Sequence, residues 1–271
     1  MEKRSIQNTP EDPGMATRPG WQGTHVWWLI SKLETGADQI TLSITEFPPG
    51  KVHEVHRHPN CEEIGYVLKG RCLHLSDGKP VRLEEGEAVF IEQGEWHGFA
   101  NNTDEPTTLI TVYGGVGGLE EAGYDLLGSA RDTGRPGAGM KKLAVDTVAP
   151  DTTLADDGGW IGMTVRWIFT EETAGASRVT LNVTSFEPGG AHELHRHPGC
   201  EELLYILEGG GTCLMEAGQA PITQGEVCFV PRGEWHGFRN DTDRVTRVVC
   251  CYGGAGSLER AGYELLGRRV Q

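Results

Sequence analysis

Apolar and polar residues alternate at period two over short segments separated by Gly and Pro, the pattern of strands rather than helices. Ile40, Leu42 and Ile44 alternate with polar residues, as do Val179, Leu181 and Val183, which predicts strands with one buried face. Further strands are predicted over 52–58, 63–68, 88–91 and 108–113, punctuated by Pro48-Pro49-Gly50, Gly70, Gly78 and Gly94. Such closely spaced turns point to a barrel or sandwich. Apolar residues at helical spacing occur in 119–127 and 258–266, so short helices are expected there, packed outside the β structure.

The pattern occurs twice. His56 matches His195, His97 matches His236 and Tyr113 matches Tyr252, all at one offset (195 − 56 = 139) and without gaps. The register extends back to Trp21 with Trp160 and Trp28 with Trp167, and forward to Tyr124 with Tyr263. Whole domains are therefore duplicated. The expected organisation is a flexible N-terminal arm over 1–19, a first domain over 20–128, a Gly- and Pro-containing linker over 129–139 and a second domain over 140–271. The Gly-rich segments 114–118 and 253–256 lack the Lys-Ser/Thr of a phosphate loop and follow no βαβ pattern, which argues against nucleotide binding.

Composition narrows the partners. With 24 Lys and Arg against 39 Asp and Glu, the net charge of −15 repels phosphate backbones and anionic headgroups, so no nucleic acid and no membrane is expected. Residues 1–20 hold no apolar signal-peptide core, and no apolar run approaches the roughly 20 residues of a membrane span, so the expected location is cytoplasmic. Seven cysteines without a CxxC pair are expected to stay reduced.

Candidate chemistry sits where the two copies agree most. Residues 53–70 (HEVHRHPNCEEIGYVLKG) and 192–209 (HELHRHPGCEELLYILEG) are identical at twelve of eighteen positions. His56 and His58 are two residues apart, so on a strand both imidazoles project from one face, about 7 Å apart along the backbone. A carboxylate, Glu62 or Glu63, and His97 would complete a four-ligand metal site, and His195, His197, Glu201 or Glu202 and His236 would repeat it.

These spacings resemble the cupin superfamily, whose motifs are G-x5-HxH-x3,4-E-x6-G and G-x5-PxG-x2-H-x3-N. Gly50, His56, His58, Glu63 and Gly70 fit the first motif, and Gly86, Gly94, His97 and Asn101 fit the second, with Glu92 in place of its proline. In the second copy Gly189, His195, His197, Glu202 and Gly209, then Gly225, Pro231, Gly233, His236 and Asn240, fit throughout. The resemblance implies an all-β chain of two tandem double-stranded β-helix barrels (jelly-roll, cupin), with short helices after each barrel. It implies metal ligands His56, His58, Glu63 and His97, and His195, His197, Glu202 and His236. Glu63 and Glu202 are preferred because only they leave six residues before the closing glycine. Mn or Fe is the metal expected, with Ni, Co, Cu and Zn as alternatives.

By the same resemblance the expected function is a metal-dependent dioxygenase, or related oxidative enzyme, acting on a small oxygenated organic anion, with Glu63 and Glu202 as candidate bases. The alternatives are a non-oxidative lyase or isomerase and a non-catalytic metal- or ligand-binding protein. The partners expected are a small-molecule substrate and, as an option, a second copy of the chain in a homo-oligomer. His53 and His192 fall out of strand phase with the ligands and are expected at a rim. Cys61 and Cys200, and the aromatic pairs Tyr66 and Tyr205, Trp96 and Trp235, Phe99 and Phe238, read as packing residues. The copies differ at Trp27 and Arg166, His74 and Cys213, and Thr111 and Cys250, so the two cavities need not bind the same molecule, and Arg166 is a candidate partner for a carboxylate. Thiol titration of the denatured, non-reduced chain should return all seven free groups; fewer would contradict the reduced assignment.

Overall fold

The short alternating segments become antiparallel strands in the computed structural model, which describes residues 2–21, 23–76, 80–128, 141–154, 156–216 and 218–266. The segment expected as a linker, 129–139, lies outside them. In the first copy one sheet runs in the order Lys141–Ala144, Glu87–Ile91, Glu62–Lys69, Thr107–Gly114, Ile40–Phe47 and His25–Ile30. The other runs Asp125–Gly128, Val52–Arg57, His97–Ala100, Arg71–Ser76 and Val81–Glu84. Phe47, Val67, Val89, Ile91 and Leu109 of the first sheet meet Cys72, Leu83 and Phe99 of the second, so the core lies between two facing sheets, as in a jelly roll.

The second copy repeats this plan with one difference in connectivity. A single 16-residue strand, Leu181–Arg196, replaces the pair Ile40–Phe47 and Val52–Arg57 and joins both sheets into one. Its core gathers Phe186, Leu204, Ile206, Cys213, Ile222, Phe238, Val248 and Cys250.

The compact units are residues 6–147, and residues 1–5 together with 148–271. Relative to the domains expected at 20–128 and 140–271, two strands are exchanged between these units. Lys141–Ala144 pairs with Glu87–Ile91 and belongs to the first unit, while Glu2–Ser5 pairs with Glu226–Val230 and belongs to the second. These two strands are themselves equivalents at offset 139, and they bind equivalent partners: Lys141 faces Phe90 as Glu2 faces Phe229. Residues 6–19, expected as part of an arm, contribute the buried Met15, which packs on Trp21 and Val26.

The two tails form helix for a single turn only, Leu119–Ala122 and Leu258–Ala261. Gly123 (φ +73°) and Gly262 (φ +72°) then adopt left-handed φ values that end the helix. A Cβ at Gly123 would lie 2.8 Å from Pro59 Cγ. The chain continues as strands Asp125–Gly128 and Glu264–Leu265, which pair with the strands carrying His56 and His195. Two further single turns, Lys32–Thr35 and Glu171–Ala174, are capped by Ser31 and Thr170; they are too short for a periodic signal.

Burial departs from the expected alternation on Ile40–Phe47, which is covered on both faces. Its polar positions Ser43 and Thr45 share the face of Phe47, a core residue, so the polar face of this strand looks into the barrel rather than into water.

A β-bulge shapes the histidine strand. Val52–Arg57 pairs with His97–Ala100 so that His53 faces Phe99 and His56 faces His97, three residues opposite two. The second copy has the same shift between His192 and His195. The extra residue restores the phase of His53 with His56, and both histidines are buried inside the barrel, not at its rim. The bulge pushes the His53 carbonyl against Gly98, where a Cβ would lie 2.6 Å from that oxygen, and Gly237 stands equally close to the His192 oxygen. Gly98→Ala should therefore lower stability by about 1–3 kcal/mol and weaken metal uptake at the first centre only, measured by thermal unfolding and metal titration; unchanged metal uptake would refute the role given to the bulge.

Candidate metal centres

Strands from both sheets deliver the eight candidate residues to two interior points. His56 lies on Val52–Arg57, His58 just past its end, Glu63 on Glu62–Lys69 and His97 at the start of His97–Ala100. One donor atom from each of these four residues lies within 4.8 Å of the others, and His195, His197, Glu202 and His236 form an equal group. Donors at roughly 2.1 Å from a common ion stand at most about 4.2 Å apart, so each group would contract by about half an ångström or more around an ion. All eight side chains are at most 4% exposed. Neighbouring strand positions point to opposite faces, so Glu62 and Glu201 are buried outside these groups and engaged elsewhere.

Backbone carbonyls set the tautomers. His56 Nδ1–H donates to Glu54 O (2.7 Å), His58 to Gly123 O (2.6 Å) and His97 to Glu95 O (2.9 Å). The second copy matches: His195 donates to Glu193 O (2.7 Å), His197 to Gly262 O (2.5 Å) and His236 to Glu234 O (2.9 Å). A carbonyl only accepts, so Nδ1 carries the hydrogen and Nε2 is the free donor atom. The Nε2 atoms of His56, His58, His195 and His197 are buried without a hydrogen-bond partner, an arrangement that is costly unless something occupies the space between them. Three neutral imidazoles and one carboxylate suit a divalent transition metal.

Electrostatics agree with that donor set. Burial, reinforced by neighbouring imidazoles, holds His56 and His195 well below the usual histidine value. Burial also lowers His58 and His197, outweighing the nearby carboxylates. His97 and His236 differ: burial pulls them down, but Glu63 Oε2 at 2.8 Å and Glu202 Oε2 at 2.6 Å override it, so their pKa values rise. The two carboxylates, which burial alone would raise, are held below the usual range by those same histidines.

A stack of rings backs each group. His53 lies 3.8 Å from His56, centroid to centroid, and 3.4 Å from Trp21, and Tyr124 Oη contacts His53 Nε2 at 3.3 Å. His192, Trp160 and Tyr263 repeat the arrangement. Trp21, Tyr124 and the carbonyl of Gly123 are site components that motif matching misses, although the two aromatics recur in the repeat alignment. Asn101, a motif residue, instead staples a turn by donating to Phe47 O and Glu105 O. Glu92, which departs from the motif, keeps the turn of its counterpart Pro231: each carbonyl accepts from the amide three residues on.

The remaining candidates fall where packing predicts, with one exception. Phe99 and Phe238 are core residues, Tyr66 and Tyr205 are buried, and Trp96 and Trp235 lie under the guanidinium groups of Arg57 and Arg196 at 4.8 Å. Cys61 and Cys200 are buried, and burial pushes the Cys200 thiol up, away from a ligating thiolate. Among the described residues all seven cysteines are free and buried. Arg166 is not where a cavity carboxylate could use it, because Met163, Val165 and Trp167 line the second cavity and Arg166 alternates away from them. That cavity is small, about 20 Å³, with His195, Glu202 and His236 in its wall. The exception is His74: it is fully buried, its ring parallel to that of His97 at 6.5 Å, and burial holds its pKa down to about 3.

In the metal-free protein the His97–Glu63 and His236–Glu202 pairs are salt bridges, so metal uptake must displace a proton from each histidine. Because His97 and His236 are raised above the ordinary histidine value, affinity should rise with pH through and beyond that value with roughly one proton released per site, read by calorimetry in buffers of different ionisation enthalpy. His195→Ala should reduce the stoichiometry from two metals per chain to one, and retention of two would refute the assignment.

Comparisons with known proteins agree with this geometry. The Cupin domain family matches residues 43–113 and 182–252, windows that contain all eight clustered residues. Protein SchB of Streptomyces halstedii is 30% identical over 107 residues, 40% of this chain and 72% of that protein. An oxalate-binding protein of Thermotoga maritima is 42% identical over 53 residues, 20% of this chain and 44% of that protein. A structure of Bacillus subtilis oxalate decarboxylase, an enzyme with Mn(II) centres, shares the fold with a TM-score of 0.73 at 14% identity, covering 98% of this chain and 79% of that one. No helix among the described residues is long and apolar enough to cross a membrane. With both windows matched and both barrels built on one plan, the chain belongs to the cupin family, as a two-barrel member.

Proposed function

We propose that this protein is a metal-dependent enzyme acting on a small oxygenated organic anion. Its ligands are His56, His58, Glu63 and His97 in one barrel and His195, His197, Glu202 and His236 in the other. The observation that carries this reading is the pair of buried four-donor groups whose bare Nε2 atoms face one another. Mn is the metal favoured, by likeness to an enzyme with Mn(II) centres. When bound, a divalent ion acts as a Lewis acid, and beside one carboxylate it leaves a net charge of about +1 that attracts an anion.

The protein's own groups divide the work by elimination. Every ligand imidazole has Nδ1 committed to a carbonyl. Tyr113 and Tyr252 are pushed up by burial, then by the adjoining carboxylates, and stay protonated. Glu63 and Glu202 are left as the groups placed to accept a proton from a bound substrate. The surrounding rings and aliphatic side chains exclude water, which strengthens each of these interactions.

Cavity size bears on the reaction. The second barrel's cavity, about 20 Å³, leaves no room for an extended aromatic substrate and favours a compact ligand. An oxidative reaction must admit dioxygen as well, so the lyase-type reading is preferred over the dioxygenase. The Mn-loaded protein is expected to turn over a small carboxylate without stoichiometric oxygen uptake. Glu63→Gln and Glu202→Gln together should lower kcat by at least about 100-fold when compared with the parent at equal metal occupancy. Oxygen consumed in proportion to substrate would establish the oxidative reading instead, and no turnover of any small carboxylate by the Mn-loaded protein would leave a binding protein.

A further inference from the structure

The two barrels share their ligands but not their inner walls. Ser43 Oγ, Thr45 Oγ1 and both ring nitrogens of His74 are buried in the first barrel without a hydrogen-bond partner. All three side chains look inward. Ser43 and Thr45 share the face of Phe47, and His74 faces Phe99 across the sheet at 5.3 Å and lies parallel to the ligand-group ring of His97. Their equivalents in the second barrel are Asn182, Thr184 and Cys213. There Thr184 Oγ1 donates to Asn182 Oδ1 (2.9 Å), and Cys213 packs in the apolar core with Leu204 and Phe238. What is self-satisfied or apolar in one barrel is polar and unpartnered in the other.

The packing around His74 is adjusted to keep it. Position 65 is Gly where the second barrel has Leu204, and a Cβ there would lie 2.9 Å from Phe99 Cζ. Phe99 thus stands where a side chain at position 65 would lie, and His74, bulkier than Cys213, meets the same ring edge-on at 5.3 Å. Unpartnered buried polar atoms disfavour folding and are uncommon in native proteins. Four of them in one wall, beside a metal-ligand group, indicate a wall shaped for a ligand that brings the missing partners.

Asn182 and Thr184 line the second cavity beside His195, Glu202 and His236, which places their equivalents Ser43 and Thr45 on the wall next to the first centre. We propose that Ser43, Thr45 and His74 form a hydrogen-bonding subsite for the oxygens of a small carboxylate held at the first centre, a subsite whose equivalents in the second barrel are already paired or apolar. The proposal rests on the reading that a small anion occupies that centre. A neutral imidazole and two hydroxyls supply three donors, which match the acceptor oxygens of a carboxylate, and each hydroxyl can also accept from a protonated or hydroxylated neighbour. The first barrel is therefore expected to hold such an anion more tightly than the second.

The test uses the full chain carrying His195→Ala, so that only the first centre fills, loaded with Mn(II) and titrated calorimetrically with oxalate. The pair G65L and H74C gives the first barrel the residues of the second. It should keep one Mn(II) per chain yet lose oxalate affinity by at least about tenfold. Thr45→Val, which keeps shape and removes a hydroxyl, should weaken oxalate several-fold, and H74N, which keeps a donor and an acceptor, should stay within a few-fold of the parent. Oxalate affinity unchanged in both G65L/H74C and Thr45→Val would overturn the subsite and assign these atoms to ordered water alone. A parent that holds Mn(II) but takes up no oxalate, formate or acetate would overturn it as well. A parent that takes up no Mn(II) would overturn the metal centre itself, and the subsite with it.

Discussion

The hydrogen bonds from six histidine Nδ1 atoms to backbone carbonyls are the constraint on which the rest of the structure turns. A carbonyl oxygen is fixed by the sheet or turn that carries it, so each bond fixes the rotation of a ring and the identity of its bare nitrogen. Remove the carbonyl and the imidazole is free to invert its tautomer or to swing away. The chemistry is thus written into the main chain, and the side chains only display it.

Two irregularities supply four of those carbonyls and align the rings, and the turns before His97 and His236 supply the other two. The bulge between His53 and His56 puts both histidines inside and lets Trp21, His53 and His56 stack as one column. The left-handed glycine after the single-turn helix offers its carbonyl to His58 in one copy and to His197 in the other, then turns the chain into a strand beside the ligand strand. Neither element is a loop decoration. The bulge adjoins His56, whereas Gly123 reaches the site from 65 residues beyond His58.

Much of this was legible in the sequence because the residues involved are of rare type and repeated at constant offset. His56 and His58 announce a shared strand face, and the choice of Glu63 over Glu62 follows from the six residues that separate Glu63 from Gly70. Strand positions followed from alternation. What alternation could not reveal is where it breaks: one inserted residue makes His53 look misplaced, and one glycine at position 123 converts an apparent helix into helix and strand. Ser43 and Thr45 misled for a different reason. Polar residues on a strand normally mark the wet face, and only the closing of the barrel turns that face inward. The partner of a four-residue strand such as Lys141–Ala144 leaves no local trace at all, since any short alternating segment could have paired with that edge.

Those exchanged strands make the duplicated stretch of sequence and the cooperative block of structure different objects. A cut made between the repeats leaves the first block without the segment that covers Glu87–Ile91, and removal of the opening residues strips Glu226–Val230 in the same way. Either cut bares an apolar sheet border, the kind of surface that recruits foreign strands. The halves of this chain are alike in composition, yet neither is self-sufficient, and splitting or shuffling them at the obvious seam would yield sticky fragments rather than single barrels.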